Sequence, residues 1–131
     1  MKPIANEPIR LLLIDDEEAF VRVLTKRMTK RHIDVTPAFS GTEALQRMRQ
    51  GDFDVAMLDL KMEGMDGIEV LKILKKMVPE LPIIMLTGHG CQVSAKDAIA
   101  NGAFDYLSKP YDFEDLLEKI REAHQSGKDT R

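Results

Sequence analysis

The chain has a single cysteine, Cys91, in 131 residues. An internal disulfide is excluded, and one thiol points to a reducing compartment. No apolar run approaches the roughly 20 residues that a membrane-spanning helix needs. Met1 to Pro8 carries two prolines and no apolar core, so it reads as a loose tail rather than a signal peptide. There is no basic stripe with interleaved aromatics, and the net charge is -3. Direct nucleic-acid binding by this segment is therefore not expected. GxGxxG and P-loop patterns are both missing, so no motif supports nucleotide binding. Repeats and low-complexity tracts are missing too. What is present is an ordinary soluble composition, 44% hydrophobic and 31% charged, at a length that suits one domain around one core. The expectation is a cytoplasmic protein with no membrane partner.

The organising stretch is Val55-Ala56-Met57-Leu58-Asp59. A short apolar run bounded by turn residues reads as a strand buried on both faces, and this one stops on a carboxylate. Ile9 to Ile14 and Pro82 to Thr87 read as further buried strands, the β-branched-rich Ile33 to Phe39 as a second strand and Ala103 to Leu107 as a fifth. Helical spacing separates them. Phe20, Val23, Leu24, Arg27 and Met28 mark a first helix. Ser40-Gly41-Thr42-Glu43 is a capping box opening a second, which Gly51 ends. Asp66, with Glu69 three residues on, caps a third with Ile68, Leu71, Ile73 and Leu74 inward. A weaker fourth helix runs from about Gln92 to Asn101 and stops at Asn101-Gly102. Asp112 with Asp115 caps a fifth through Leu116, Leu117 and Ile120. Regular alternation of this kind predicts an α/β, doubly wound domain whose parallel sheet has helices on both faces. The expected arrangement is the flavodoxin-like (βα)5 one, with strand order 2-1-3-4-5. The expected division is a tail over 1–8, one domain over 9–124, and a polar tail or linker stub over 125–131.

In such a sheet ligands bind beyond the carboxyl ends of the strands. The first strand ends in Asp15-Asp16, the third in Asp59, the fourth in Thr87 and the fifth in Lys109. With strands one and three adjacent, Asp15, Asp16 and Asp59 converge on one crevice. Three neighbouring carboxylates need a counter-charge, and a hard divalent cation such as Mg²⁺ supplies one. The cation would neutralise an incoming phosphoryl group and orient it for in-line attack by Asp59. Lys109 adds a compact positive charge for the phosphoryl oxygens, and the Thr87 hydroxyl adds a hydrogen bond. The expected product is an acyl phosphate. Glu17 and Glu18 read as the acidic first turn of the first helix. His89 reads as an exposed loop residue, Cys91 as incidental, and the eight methionines as core filler.

Five fragments carry a family likeness: Leu13-Ile14-Asp15-Asp16-Glu17, Met57-Leu58-Asp59 with Gly64-Met65-Asp66-Gly67, Leu86-Thr87-Gly88, and Tyr106-Leu107-Ser108-Lys109-Pro110. Together, from about Arg10 to Ala123, they resemble the receiver domain of two-component response regulators. The resemblance implies that Asp59 is the phospho-acceptor and that Asp15, Asp16, Asp59 and the backbone carbonyl of Lys61 hold Mg²⁺. It implies that Thr87 and Tyr106 form a switch pair, that Lys109 senses the phosphoryl group, and that Lys109-Pro110 is cis. The implied donor is a phosphohistidine on a sensor histidine kinase or phosphotransfer protein. The face made by the fourth helix, fifth strand and fifth helix would then change partner preference, with a homodimer through that face as one outcome. The segments around Thr87 and Tyr106 look most like receivers attached to DNA-binding outputs. Such a domain catalyses its own phosphorylation and dephosphorylation and is not an enzyme with an external substrate. Glu63 stands where many receivers have proline, which implies a looser loop after Asp59. Two other classes are open: an aspartyl-nucleophile phosphatase and a silent docking module. Lys61, in place of a second aspartate two residues past the nucleophile, argues against the first.

Overall fold

In the computed structural model, residues 7–62, 65–88 and 92–129 are described. Five strands alternate with five helices in chain order: β1 (Ile9–Ile14), α1 (Glu18–Thr29), β2 (Ile33–Ala38), α2 (Gly41–Gln50), β3 (Val55–Asp59), α3 (Gly67–Met77), β4 (Ile83–Thr87), α4 (Gln92–Ala100), β5 (Asp105–Ser108) and α5 (Phe113–Asp129). All five strands are parallel, in the order β2-β1-β3-β4-β5. This is the predicted topology. The central strands β3 and β4 are buried along their whole length, which is why they read as unbroken apolar runs. Pro37 lies in β2 opposite Leu13; β2 is an edge strand, where a missing N–H costs no ladder bond.

Side chains alternate across the sheet and build two cores. Leu11, Leu13, Met57, Ile84 and Leu86 pack with Val21, Leu24 and Met28 of α1 and Leu116, Leu117 and Ile120 of α5. Leu12, Ile14, Ala56, Leu58, Ile83 and Met85 pack with Ala44 of α2, Val70, Leu71 and Leu74 of α3, and Ala98 of α4. The same alternation, carried one residue past each strand, decides which side of the sheet a polar terminus faces.

Local chemistry sets the helix starts. Ser40 Oγ accepts from the Glu43 N–H at 3.1 Å, and Glu43 Oε1 accepts from the Phe39 N–H at 3.1 Å. The reciprocal bond of the capping box thus lands one residue ahead of the cap. Asp66 Oδ1 accepts from the Ile68 N–H at 2.9 Å and Asp112 Oδ1 from the Glu114 N–H at 2.8 Å. At the end of α4, Gly102 at φ +103 donates to Ile99 O, and Ala103 donates to Ala98 O. That pair of bonds is a Schellman stop. It consumes Ala103, so β5 begins at Asp105 rather than at the expected Ala103.

Other differences have similar local causes. In α3 the buried stripe is Gly67, Val70, Leu71 and Leu74, while Ile73 is exposed. Val70 takes the inward position that was expected of Ile73, because 67, 70, 71 and 74 keep the 3.6-residue period. Helix α5 does not stop near 124. It runs to Asp129, with Ala123 and Gly127 buried four residues apart and Gly127 close to Pro82. Between β3 and α3, Lys61–Met62 pairs antiparallel with Met65–Asp66. This two-residue ribbon is too short to show any alternation in sequence. Glu63, Gly64, His89 and Cys91, and both ends of the chain, lie outside the described residues. No helix among the described residues is long and apolar enough to cross a membrane.

Candidate functional site

Beyond the carboxyl ends of β1, β3 and β5, alternation brings three side chains to the α1 and α5 side of the sheet. Asp15 follows Leu11 and Leu13, Asp59 follows Met57, and Lys109 follows Leu107. Leu13 is the register partner of Met57, so Asp15 and Asp59 are neighbours by continuation of that row. Asp15 is fully buried and Asp59 is 3% exposed. Lys109 Nζ lies 3.5 Å from Asp59 Oδ2, 3.6 Å from Asp15 Oδ2 and 3.8 Å from Glu17 Oε1. One lysine therefore faces three carboxylates. Its ammonium also lies 4.8 Å from the centre of the Phe20 ring, a favourable cation–π distance. The Lys109 N–H donates to Thr87 O at 2.7 Å, which fixes the start of the β5–α5 loop on the end of β4. The Lys109-Pro110 peptide is cis.

The electrostatics are strained by design of the pocket. Asp15 Oδ1 accepts from the Glu17 N–H at 3.0 Å, but its buried Oδ2 accepts no hydrogen bond. Burial pushes the Asp15 carboxyl up to about 6; the Glu17 N–H and Lys109 oppose the rise, and Asp59 and Glu17 add to it. Burial likewise raises the Tyr111 hydroxyl, with Asp15 and Asp59 contributing. The Tyr111 hydroxyl is buried without a hydrogen-bond partner, and its ring meets Phe20 edge-on at 6.4 Å. Oxygens of Asp15, Glu17 and Asp59 lie within 4.8 Å of one another. An all-oxygen, net-negative set with an orphaned buried carboxylate oxygen fits a hard divalent cation.

The residues expected at the site do not all enter it in the same way. Asp15, Asp59 and Lys109 come together. Asp16 is half-buried beside them, but the mutual cluster takes Glu17 instead. Glu17 does begin the helix, as its N-cap residue, and its side chain also reaches Lys109. The string Asp-Asp-Glu contained that signal, since Glu17 follows Asp15 by two residues. Lys61 carries its backbone into the ribbon that leaves β3. Thr87 is 1% exposed, and its hydroxyl donates toward β5, to Ser108 Oγ at 3.2 Å and Leu107 O at 3.5 Å. Tyr106 is 42% exposed on the same strand. Phe20, Tyr111 and Ser108 were not expected at the site, because each acts there through a contact across elements.

Comparison with known proteins agrees with this geometry. Residues 11–121 match the response regulator receiver domain family. The chain is 34% identical over 120 residues to the transcriptional regulatory protein GlrR of Escherichia coli, covering 92% of this chain and 27% of that one. It is 35% identical over 121 residues to the transcriptional regulatory protein YkoG of Bacillus subtilis, covering 92% of this chain and 53% of that one. The chain thus spans about a quarter to a half of the length of these regulators. Among solved structures, a receiver domain protein from Clostridium thermocellum superposes with a TM-score of 0.89 at 33% identity, covering 94% and 99% of the two chains. NtrX from Brucella abortus superposes with a TM-score of 0.90 at 28% identity over 95% of this chain and 29% of that one. With its sheet order, its strand-end carboxylates and lysine, and this match along most of its length, the chain belongs to the response regulator receiver domain family.

Proposed function

We propose that Asp59 accepts a phosphoryl group from a phosphohistidine on a sensor histidine kinase or phosphotransfer protein. The observation that carries this is the buried pair Asp15 and Asp59 facing Lys109, with Asp15 Oδ2 left without a hydrogen bond. In the transfer an Asp59 carboxylate oxygen attacks phosphorus, the Oδ–P bond forms and the P–N bond breaks. The electron pair of that bond stays on the protonated donor ring, which leaves as neutral imidazole. Asp15, Asp16, Asp59 and the Lys61 carbonyl would hold Mg²⁺, which supplies charge neutralisation for the phosphoryl oxygens. Lys109 holds the negative oxygens from the opposite side. The same groups serve hydrolysis of the acyl phosphate back to Asp59, so the domain resets itself.

Thr87 and Tyr106 then read the phosphoryl group out. Thr87 turns toward it, Tyr106 moves inward, and the α4–β5–α5 face changes its preference for a partner, a second copy of the chain included. The exposed Tyr106 ring and the Asp105–Lys119 ion pair at 2.7 Å on that face support this reading. The unit that switches is the segment 9–124, acting in the cytoplasm. The test is intact mass after incubation with Mg²⁺ and acetyl phosphate. One added phosphoryl group, labile to hydroxylamine and absent in Asp59→Ala, is the expected result. No addition to a folded, Mg²⁺-binding chain, from acetyl phosphate or from a phosphohistidine protein, overturns it.

A further inference from the structure

Thr87 and Ser108 are Cα partners in the last row of the β4–β5 ladder. Partners in a parallel ladder turn their side chains to the same face. For Thr87 that face is the one shared with Ile83 and Met85, on the α3 and α4 side. Asp59 follows Met57 on the opposite face. At the end of β4 the Thr87 hydroxyl turns toward β5. It donates to Ser108 Oγ at 3.2 Å, while Leu107 O, at 3.5 Å, lies at the limit of a hydrogen bond. A β-branched side chain has few χ1 wells, so a bond that fills one of them excludes the others.

We propose that Ser108 is a positioning residue: its hydroxyl latches Thr87 against β5 in the unmodified domain and opposes the turn toward a phosphoryl group on Asp59. The idea rests on the switch reading above and adds a residue to it. The latch is released when the phosphoryl oxygen offers Thr87 a charged acceptor, which is the stronger partner. A two-state element shifts only by the difference in free energy between its states. One hydroxyl hydrogen bond is therefore worth a shift of about two- to tenfold. Ser108 is exposed, so its truncation leaves no core cavity.

The test compares the rate of phosphoryl addition from acetyl phosphate at fixed Mg²⁺, read by intact mass, and the apparent affinity for beryllofluoride. In the modification the Oδ–P bond forms on Asp59, the P–O bond to the acetyl group breaks, and acetate leaves with the electron pair. Ser108→Ala is expected to raise both readouts about two- to tenfold. Ser108→Thr keeps the hydroxyl and is expected to stay near the unsubstituted chain. In a Thr87→Ala background the effect of Ser108→Ala is expected to vanish. Unchanged readouts in Ser108→Ala, or an equal gain without Thr87, overturn the latch while the acceptor role of Asp59 stands. If the unsubstituted chain takes up neither phosphoryl group nor beryllofluoride, the switch reading falls and the latch falls with it.

Discussion

At the scale of single residues the site trades stability for chemistry. Asp15 is buried, lacks a hydrogen bond on one oxygen, and titrates near 6 instead of at its ordinary value of 3.8. Between those values the folded chain binds more protons than the unfolded one, so its stability falls as pH rises through that window and stays lower above it. Asp15→Asn removes the charge. In the presence of EDTA at pH 7.5 it is expected to raise unfolding stability by about 1–3 kcal/mol, a gain that shrinks as pH falls and disappears well below the unfolded value of 3.8, where the carboxyl is neutral in both states. Urea titrations at the two pH values check this. An Asp15→Asn chain no more stable than the parent at pH 7.5 would contradict it.

Asp54 behaves in the opposite sense. Burial works against its charge, but Arg10 gives it two side-chain bonds and one backbone bond at 2.9 to 3.2 Å, and its carboxyl is held below the usual range. Its contribution is present above the unfolded pKa and is lost as pH falls through the folded value. Asp54→Asn is expected to cost about 1–3 kcal/mol at pH 7, with the difference from the parent shrinking in acid. The pair lies at the opposite end of the sheet from Asp59, so phosphoryl addition is expected to proceed in the folded variant.

At the scale of elements, the join between β3 and α3 is tight. A Cβ on Gly67 would come 2.9 Å from Leu60 Cα and 3.1 Å from Leu60 O. Backbone atoms cannot step aside as the end of a long side chain can. Gly67→Ala is therefore expected to cost about 1–3 kcal/mol, as overpacking does, and to displace the segment that carries the Lys61 carbonyl. Loss of Mg²⁺ affinity together with stability, measured on the same folded sample, tests the coupling. A stable Gly67→Ala chain with unchanged affinity would sever it.

At the scale of the whole molecule, the parallel sheet gathers carboxylates that no single element would hold together. Asp15 comes from the end of β1, Glu17 from the start of α1 and Asp59 from β3, and Lys109, after β5, faces all three. A cation bound by the folded chain stabilises it by mass action, by about 2.7 kcal/mol at one hundred times the dissociation constant. Saturating Mg²⁺ is expected to raise Tm, and EDTA to reverse the rise. In Asp15→Asn the rise is expected to be small, because the orphaned carboxylate oxygen is gone. An equal rise in both chains would place the cation elsewhere.

The amino-acid sequence by itself determined whatever depends on near neighbours along the chain. Val55 to Asp59 is readable as a buried strand because both of its faces are covered. Ser40 with Glu43 and Asp66 with Ile68 are readable as helix starts because a cap is a contact between residues two or three apart. The regular alternation of such elements was enough for a parallel sheet covered on both faces, and the flavodoxin-like order, with the receiver resemblance, then placed Asp15, Asp59 and Lys109 together. Tertiary structure decided what depends on rotamer and register. Glu17 looked like a helix-start acid, and only the fold showed its carboxylate reaching Lys109 as well. Ile73 and Val70 could each have faced inward until packing on the sheet chose the phase of α3. The run of α5 to Asp129 buries Gly127 near Pro82, a residue far away in sequence. The bond between Thr87 and Ser108 exists because β4 and β5 pair in one register, and a cross-strand register leaves no local pattern to read.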